Sequence, residues 1–309
     1  MTTVLEAIQA GAKQLTDAKV AFGHGTANAF DEAAWLVLWK ASLPLDSSLD
    51  DPKIDHNSVA NTTLAGDLIA SIAILFIARI ASRKPAAYLT QEAWLQGIPF
   101  YIDERAIVPR SLIAELLAGD TFGSFDDWLG PHTKRILDLC TGNGSLAVLA
   151  AMTYPETTVV GADISTEALE VANINITKHD LQNRISLVES DCWDSLKDEE
   201  NQPLTFDLIL CNPPYVNSTS MAALPAEYLA EPALALAGGT DGMDFIRGLL
   251  QAAPAHMSEY AVMVLEIGNE RAHFEAAFPD LEIVWLETSA GVDSVLLITK
   301  MALEDVFNI

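Results

Sequence analysis

The chain has 309 residues, half of them hydrophobic, which is enough apolar material for one large or two unequal globular domains and excludes a disordered polymer. Forty-three acidic against 17 basic residues leave a net charge of −26, a balance that repels nucleic-acid phosphates and attracts basic proteins, although an acidic source proteome gives the same excess. The most apolar run, residues 68–78, is too short for a bilayer, and the first residues lack a signal-peptide layout, so a cytoplasmic protein without a membrane partner is expected.

Residues 1–84 read as a helical domain. The segment DEAAWLVLWKAS predicts a helix with Asp31 as N-cap, Trp35, Leu38 and Trp39 on one face, and a stop before Pro44. A polar loop, DSSLDDPKIDHNS, follows. Residues 63–82 then predict a helix apolar enough to form the centre of a small bundle. Residues 87–108 are aromatic and extended in character and are interrupted at Gly97-Ile98-Pro99, which predicts a β-hairpin; residues 85–109 are therefore assigned as a linker between domains. A helix is expected to begin near Ser111 and to end around a loop at 119–130.

From residue 110 onward strands and helices alternate. The predicted strands are RILDLC, TVVGAD, ISLVES, FDLILC, AVMVLEI, LEIVWLE and DSVLLIT. Such alternation predicts an α/β fold with a mostly parallel, Rossmann-like sheet of seven strands covered on both faces. Only residues 288–292 separate the last two strands, too few for a crossover helix, so these should form an antiparallel hairpin.

Three cysteines (Cys140, Cys192, Cys211) and six scattered histidines show no metal-ligand spacing, so reduced thiols and no metal are expected. Ligands of open parallel sheets bind at the carboxyl ends of the strands. Those ends read Asp138, then Cys140-Thr141-Gly142-Asn143-Gly144, Asp163, Asp191 and Asn212-Pro213-Pro214-Tyr215. Each position suits S-adenosylmethionine. Free N–H groups of the glycine-rich turn would attract the methionine carboxylate, Asp138 its ammonium, and Asp163 the ribose hydroxyls, while Asp191 and Trp193 would meet adenine. The same turn, GNGSLA, also fits a dinucleotide fingerprint. Asp138, four residues before the first glycine, and the NPPY tetrad favour the methyl donor.

The tetrad makes chemical sense for methylation of a planar nitrogen. Pro213 and Pro214 cannot continue a sheet ladder and impose a stiff, carbonyl-rich turn. The Asn212 side-chain carbonyl and the Pro213 backbone carbonyl can accept the two N–H hydrogens of an amide, and Tyr215 can pack on its π face. Positioning of this kind is worth roughly 7–11 kcal/mol of barrier, with about 3–4 kcal/mol more per preorganised polar contact.

NPPY after a strand and a glycine-rich loop resembles class I methyltransferases of planar nitrogens, including nucleic-acid amino-methyltransferases and the HemK family of protein-glutamine methyltransferases. Resemblance to the HemK family extends to RKPAAYL at residues 83–89 and to a helical N-terminal domain. AYLTQEAW, FYIDERAIVPRS, DLCTGNG, EYLAEPALALAGGTDG and LEIGNE resemble the branch that acts on large-subunit ribosomal protein L-three, rather than the release-factor branch, which carries PRPET where this chain has PRSLI. The resemblance implies a cofactor site at residues 140–144, Asp163 and Asn212, a glutamine site at residues 212–215, and a basic ribosomal protein as partner. Asn143 departs from the family's small hydroxyl residue, and Cys192 separates Asp191 from Trp193. Residues 231–232 and 238–242 read as a structural loop over the site. A nucleic-acid substrate, a release factor, and a non-catalytic factor that holds a ribosomal protein remain the alternatives. The first 84 residues, with no chemical task of their own, are expected to select the substrate together with the hairpin at 87–108, partly by electrostatic attraction.

Overall fold

The structure is a computed structural model describing residues 1–50, 53–119 and 125–308, the side chains of Phe125 and Asp126 excepted. It divides into two compact units, Met1–Ala93 with Leu224–Ala230, and Trp94–Ala223 with Glu231–Ile309. The first unit therefore borrows a segment from far along the chain, which its sequence did not announce.

In the first unit, helix α1 (Val4–Asp17) starts on a capping box, in which the Thr3 hydroxyl accepts from the Glu6 N–H and the Glu6 carboxylate accepts from the Thr3 N–H. Helix α2 (Ala29–Lys40) is capped by Asn28 and not by the expected Asp31: the Asn28 Oδ1 accepts from the N–H groups of Phe30 and Asp31, so the helix begins earlier. Its buried face is Ala33, Leu36, Val37 and Leu38, with Trp35 and Trp39 only half-buried. Helix α3 (Gly66–Ser82) starts three residues later than expected and is not the bundle centre, for Ile74 and Ile77 remain 66% and 63% exposed. Its inner face packs tightly on α1, where a Cβ on Gly11 would fall 2.1 Å from the Phe76 ring. The polar stretch expected as a loop after α2 lies outside the described residues at positions 51–52.

One charge network stands inside this unit. Arg79 on α3 is fully buried, and its Nε donates to the Glu32 Oε1 at 2.8 Å while its Nη2 donates to the Ala21 carbonyl at 3.1 Å. Glu227, from the borrowed segment, lies 3.7 Å from the Arg79 Nη1 and 3.0 Å from the Arg83 Nη1. Burial raises the Glu32 carboxyl above its ordinary range despite the guanidinium beside it.

The expected hairpin over 87–108 is shorter than predicted. Arg83 ends α3 in the left-handed region, and Pro85 opens a short helix, α4 (Ala86–Thr90), that takes up AYLT. Gln91 closes α4, again with positive φ. Only β1 (Glu92–Leu95) and β2 (Ile98–Tyr101) are strands, joined by Gln96 and Gly97 with φ of 49° and 74°, the pattern of a tight two-residue turn. The boundary between units falls within β1.

After β2 the second unit continues with α5 (Ile113–Leu117); residues 120–124 of the loop expected after it lie outside the described residues. The elements that follow are β3 (Arg135–Leu139), α6 (Ser145–Thr153), β4 (Thr158–Asp163), α7 (Thr166–Lys178), β5 (Ile185–Glu189), β6 (Phe206–Cys211), α8 (Ser218–Ala223) and α9 (Asp244–Ala252). The unit closes with β7 (Met257–Glu266), α10 (Arg271–Ala277), β8 (Val284–Thr288), β9 (Gly291–Thr299) and α11 (Lys300–Phe307). The sheet order is β5-β4-β3-β6-β7-β9-β8; the first five are parallel, and β9 runs antiparallel between β7 and β8. This is the expected mostly parallel class I methyltransferase-like sheet with its terminal hairpin, whose link is only Ser289 and Ala290. Alternate residues of the central strands feed two cores: Ile136, Leu208 and Leu210 enter one, and Leu137, Ile209 and Cys211 the other.

Replacing Arg79 with alanine leaves the buried Glu32 without a cation and Glu227 with Arg83 alone. The expected loss is about 3–5 kcal/mol for the first unit, measured by urea unfolding followed through Trp35 and Trp39 fluorescence, and a loss below about 1 kcal/mol contradicts the network's role.

Candidate active site

The chain winds outward from β3 through β4 to β5, then returns to place β6 on the other side of β3. Ligand sites form at such reversals. A cavity of about 1090 Å³, its open mouth included, lies there, walled by the carboxyl ends of β3, β4, β5 and β6 and by the loop 105–111.

The turn after β3 is built from positive-φ positions, Cys140 at 62°, Gly142 at 54° and Gly144 at 78°. A Cβ at Gly144 would also meet Ala172 of α7 at 3.0 Å, so glycine there lets α6 and α7 approach. Most N–H groups of the turn are spent internally. Gly142 N–H donates to the Asp163 Oδ2 at 2.9 Å, Ser145 N–H to the Asn143 Oδ1 at 2.9 Å, and Ala147 N–H to the Asp138 Oδ2 at 2.9 Å. The N–H groups of Asn143 and Leu146, both on the cavity wall, make no hydrogen bond among the described residues. The free N–H groups expected along the turn are thus reduced to these two. Asn143 caps the turn, its Nδ2 also donates to the Ile107 carbonyl at 3.0 Å, and its own carbonyl accepts from the Asn175 Nδ2 at 2.9 Å.

Asp138 is buried behind the turn. Its Oδ2 accepts from the Thr141 hydroxyl at 2.5 Å as well as from Ala147, whereas its Oδ1 has no partner among the described residues. Burial pushes this carboxyl up to about 7, against the pull of those two bonds. Asp163 ends β4 on the cavity wall, with Oδ2 held by Gly142 and Oδ1 by the Ser165 N–H at 2.9 Å. Burial raises it too, and each oxygen keeps a lone pair for a further donor. Asp191 is exposed and lines the cavity, as do Cys140, Thr141, Gly142 and Cys192. Burial pushes the Cys192 thiol up to about 12, so it stays protonated and neutral.

Trp193 is not brought to this site. It is buried in the core, stacked on His256 at 4.6 Å between ring centroids, with Nε1 donating to the Leu249 carbonyl at 3.2 Å. The left-handed Cys192, φ 48°, turns the chain so that Asp191 stays at the cavity and the next side chain enters the core.

Asn212 and Pro214 line the cavity, and the Asn212 amide makes no hydrogen bond among the described residues. Pro213 is buried. Tyr215 does not face the cavity directly: its ring lies against Gly268, where a Cβ would fall 2.5 Å away, and its hydroxyl is 3.4 Å from the Glu266 Oε1. Residues 236–242 wrap the backbone of the tetrad. Val216 N–H donates to the Leu236 carbonyl at 2.9 Å, and a Cβ at Gly242 would sit 2.2 Å from the Tyr215 carbonyl oxygen. Glu231 has a structural task, taking both Arg110 nitrogens at 2.7 Å and the Val108 N–H at 2.9 Å.

The Methyltransferase small domain family matches residues 125–239. A Bordetella pertussis protein named ribosomal protein uL3 glutamine methyltransferase is 46% identical over 306 residues, 97% of this chain and 96% of its own length. Proteins of that name from Burkholderia pseudomallei and Neisseria gonorrhoeae are 46% and 41% identical, over 96% and 97% of this chain and 94% and 95% of their own. The chain belongs to this family of protein-glutamine methyltransferases.

As a member of it, the enzyme uses S-adenosylmethionine, and the dinucleotide reading of the glycine-rich turn is set aside. The residues present fit that cofactor. The unpartnered Asp138 Oδ1 suits an ammonium, the two open N–H groups suit a carboxylate, and the spare Asp163 lone pairs suit vicinal hydroxyls. Among the described residues no group of three or more His, Cys, Asp or Glu could hold a metal. Sequence reasoning missed Asn175, Glu266 and the Arg110–Glu231 clamp, whose partners lie 32 or more residues away and leave no local pattern.

The Asp138 carboxyl, raised from 3.8 to about 7 in the folded state, binds its proton more tightly there than in the unfolded chain. Its contribution to stability is therefore full below pH 3.8 and is lost as pH rises through about 7. Urea unfolding of the cofactor-free protein from pH 4 to 8 should show Asp138→Asn losing less stability with pH than the wild type, by a few kcal/mol across the window. Identical slopes contradict this placement of the proton.

Proposed function

We propose that this enzyme transfers the methyl group of S-adenosylmethionine to the side-chain amide nitrogen of a glutamine in ribosomal protein uL3, with the cavity at the β3–β6 reversal as the active site. The observation that carries this reading is the Asn212 amide, placed on the cavity wall by the end of β6 and without an intramolecular partner among the described residues. The relatives named for uL3 glutamine methylation supply the substrate.

S-adenosylmethionine brings a methyl group already activated by a sulfonium. In this reading Asp138, the N–H groups of Asn143 and Leu146, and Asp163 hold its ammonium, carboxylate and ribose, while Thr141, Cys140, Gly142 and Asp191 form the surrounding wall. Gly144 acts from behind, through the close α6–α7 packing. The Asn212 Oδ1 and the Pro213 carbonyl accept the two hydrogens of the substrate amide, which orients a nitrogen whose lone pair is otherwise delocalised. Tyr215 serves by fixing the turn. Cationic charge grows on that nitrogen during transfer, so the two carbonyls stabilise the transition state more than the ground state. Once methylated, the nitrogen is acidic and loses its proton to water without a dedicated base.

Charge favours a protein substrate over nucleic acid. The second unit holds 32 of the acidic and ten of the basic residues, a net of −22, against −4 for the first. Electrostatic attraction of a basic ribosomal protein thus falls to the catalytic unit and not to the first 84 residues, for which shape-based recognition is proposed. Ribosomal proteins place the reaction in the cytoplasm, and no described helix is long and apolar enough to cross a membrane.

Two substitutions separate binding from chemistry. Asp163→Ala should weaken cofactor affinity by about 1.5–3 kcal/mol in calorimetric titration. Asn212→Ala should leave that affinity within about tenfold while slowing single-turnover methylation of uL3 on the order of 10²–10³-fold. Wild-type turnover in Asn212→Ala removes the proposed role of the tetrad. With the intact enzyme, kcat/KM for uL3 should fall as salt rises while that for a short neutral glutamine peptide stays flat; equal salt slopes argue against steering.

A further inference from the structure

Glu266 ends β7 beside the tetrad, since Leu265 pairs with Cys211 and the next positions are Glu266 and Asn212. Its side chain is buried, 3% exposed, and no lysine, arginine or histidine forms an ion pair with it among the described residues. Three neutral donors converge on it. The Ser111 hydroxyl donates to Oε2 at 2.6 Å, the Leu112 N–H to the same oxygen at 2.9 Å, and the Tyr215 hydroxyl approaches Oε1 at 3.4 Å.

Those donors belong to two walls of one site. Arg110 and Ser111 line the cavity at the end of the loop that Asn143 and Glu231 also grip, and Tyr215 closes the tetrad. A buried carboxylate without a cation is costly, and an apolar residue of similar size would serve stability better. What an apolar side chain cannot do is accept from both walls at once. We infer that Glu266 is a positioning residue for methyl transfer, which locks the Tyr215 ring and the 110–112 loop in one register so that the Asn212–Pro213 carbonyls stay aimed at the substrate amide. This inference rests on the proposed role of the tetrad.

Glutamine in this place keeps the shape but offers one acceptor oxygen and turns an NH₂ group against either Ser111 and Leu112 or Tyr215. Single-turnover methylation of uL3 and calorimetric cofactor binding, measured on Glu266→Gln, Tyr215→Phe, the double variant and Asn212→Ala, test the assignment. Each single variant at Glu266 and Tyr215 should slow transfer by roughly tenfold with cofactor affinity and uL3 KM changed less than about threefold, as expected for one lost hydrogen bond to a charged group. The double variant should be little slower than the worse single one. Wild-type turnover in Glu266→Gln, rate losses that multiply in the double variant, or a cofactor affinity that falls in step with the rate each overturn it. Should Glu266→Gln not fold, Tyr215→Phe decides alone: wild-type turnover there removes the arm through which Glu266 acts. A slow Asn212→Ala beside a normal Glu266→Gln defeats this inference and spares the tetrad, whereas a normal Asn212→Ala defeats both.

Discussion

Two successive prolines after the central strand β6 remove two N–H groups from the sheet ladder, so the strand must stop at Cys211 while its neighbours β3 and β7 stand on either side. Much of the carboxyl edge of the sheet is arranged around that stop. Residues 236–242 supply the hydrogen bonds that the prolines cannot, through Val216 and Gly238, and two glycines let that loop approach within distances no side chain tolerates. The turn is thereby stiffened from outside, and the Asn212 amide remains unspent at the cavity.

A second theme is the use of buried carboxylates as hubs. Asp138 joins the turn to α6, Glu231 joins the 108–110 loop to the chain after the tetrad, and Glu266 joins that loop to Tyr215. In the first unit Glu32 and Glu227 do the same around Arg79. All but Asp138, whose partners lie within nine residues, link segments distant in sequence, and each is satisfied mainly by N–H, O–H or guanidinium donors, which is the condition under which a buried charge is tolerated. The excess of acid outside these hubs sits mostly on the second unit, where a basic substrate would meet it.

The order of strands and their carboxyl ends were legible because apolar runs ending in Asp138, Asp163, Cys211 and Glu266 repeat at helix-spaced intervals. The helix at Ala86–Thr90 was not, since AYLT has strand-like residues and only Pro85 and the left-handed Arg83 and Gln91 decide the matter. Proximity in sequence misled for Trp193: the left-handed Cys192 lines the cavity, yet sends the very next side chain into the core. Leu224–Ala230 joined the first unit through Glu227 and its arginines, a pairing across more than 140 residues that no local pattern encodes.

The central claim concerns one bond, from a methyl carbon to a glutamine amide nitrogen. The most direct measurement is mass spectrometry of ribosomal proteins from a strain of the source organism lacking this gene, with fragmentation of the affected peptide. The account predicts that uL3 alone becomes lighter by one methylene, the difference mapping to a single glutamine side chain and returning with the wild-type gene but not with Asn212→Ala. An unaltered uL3, or a methyl group lost from RNA or from a release factor instead, would contradict it.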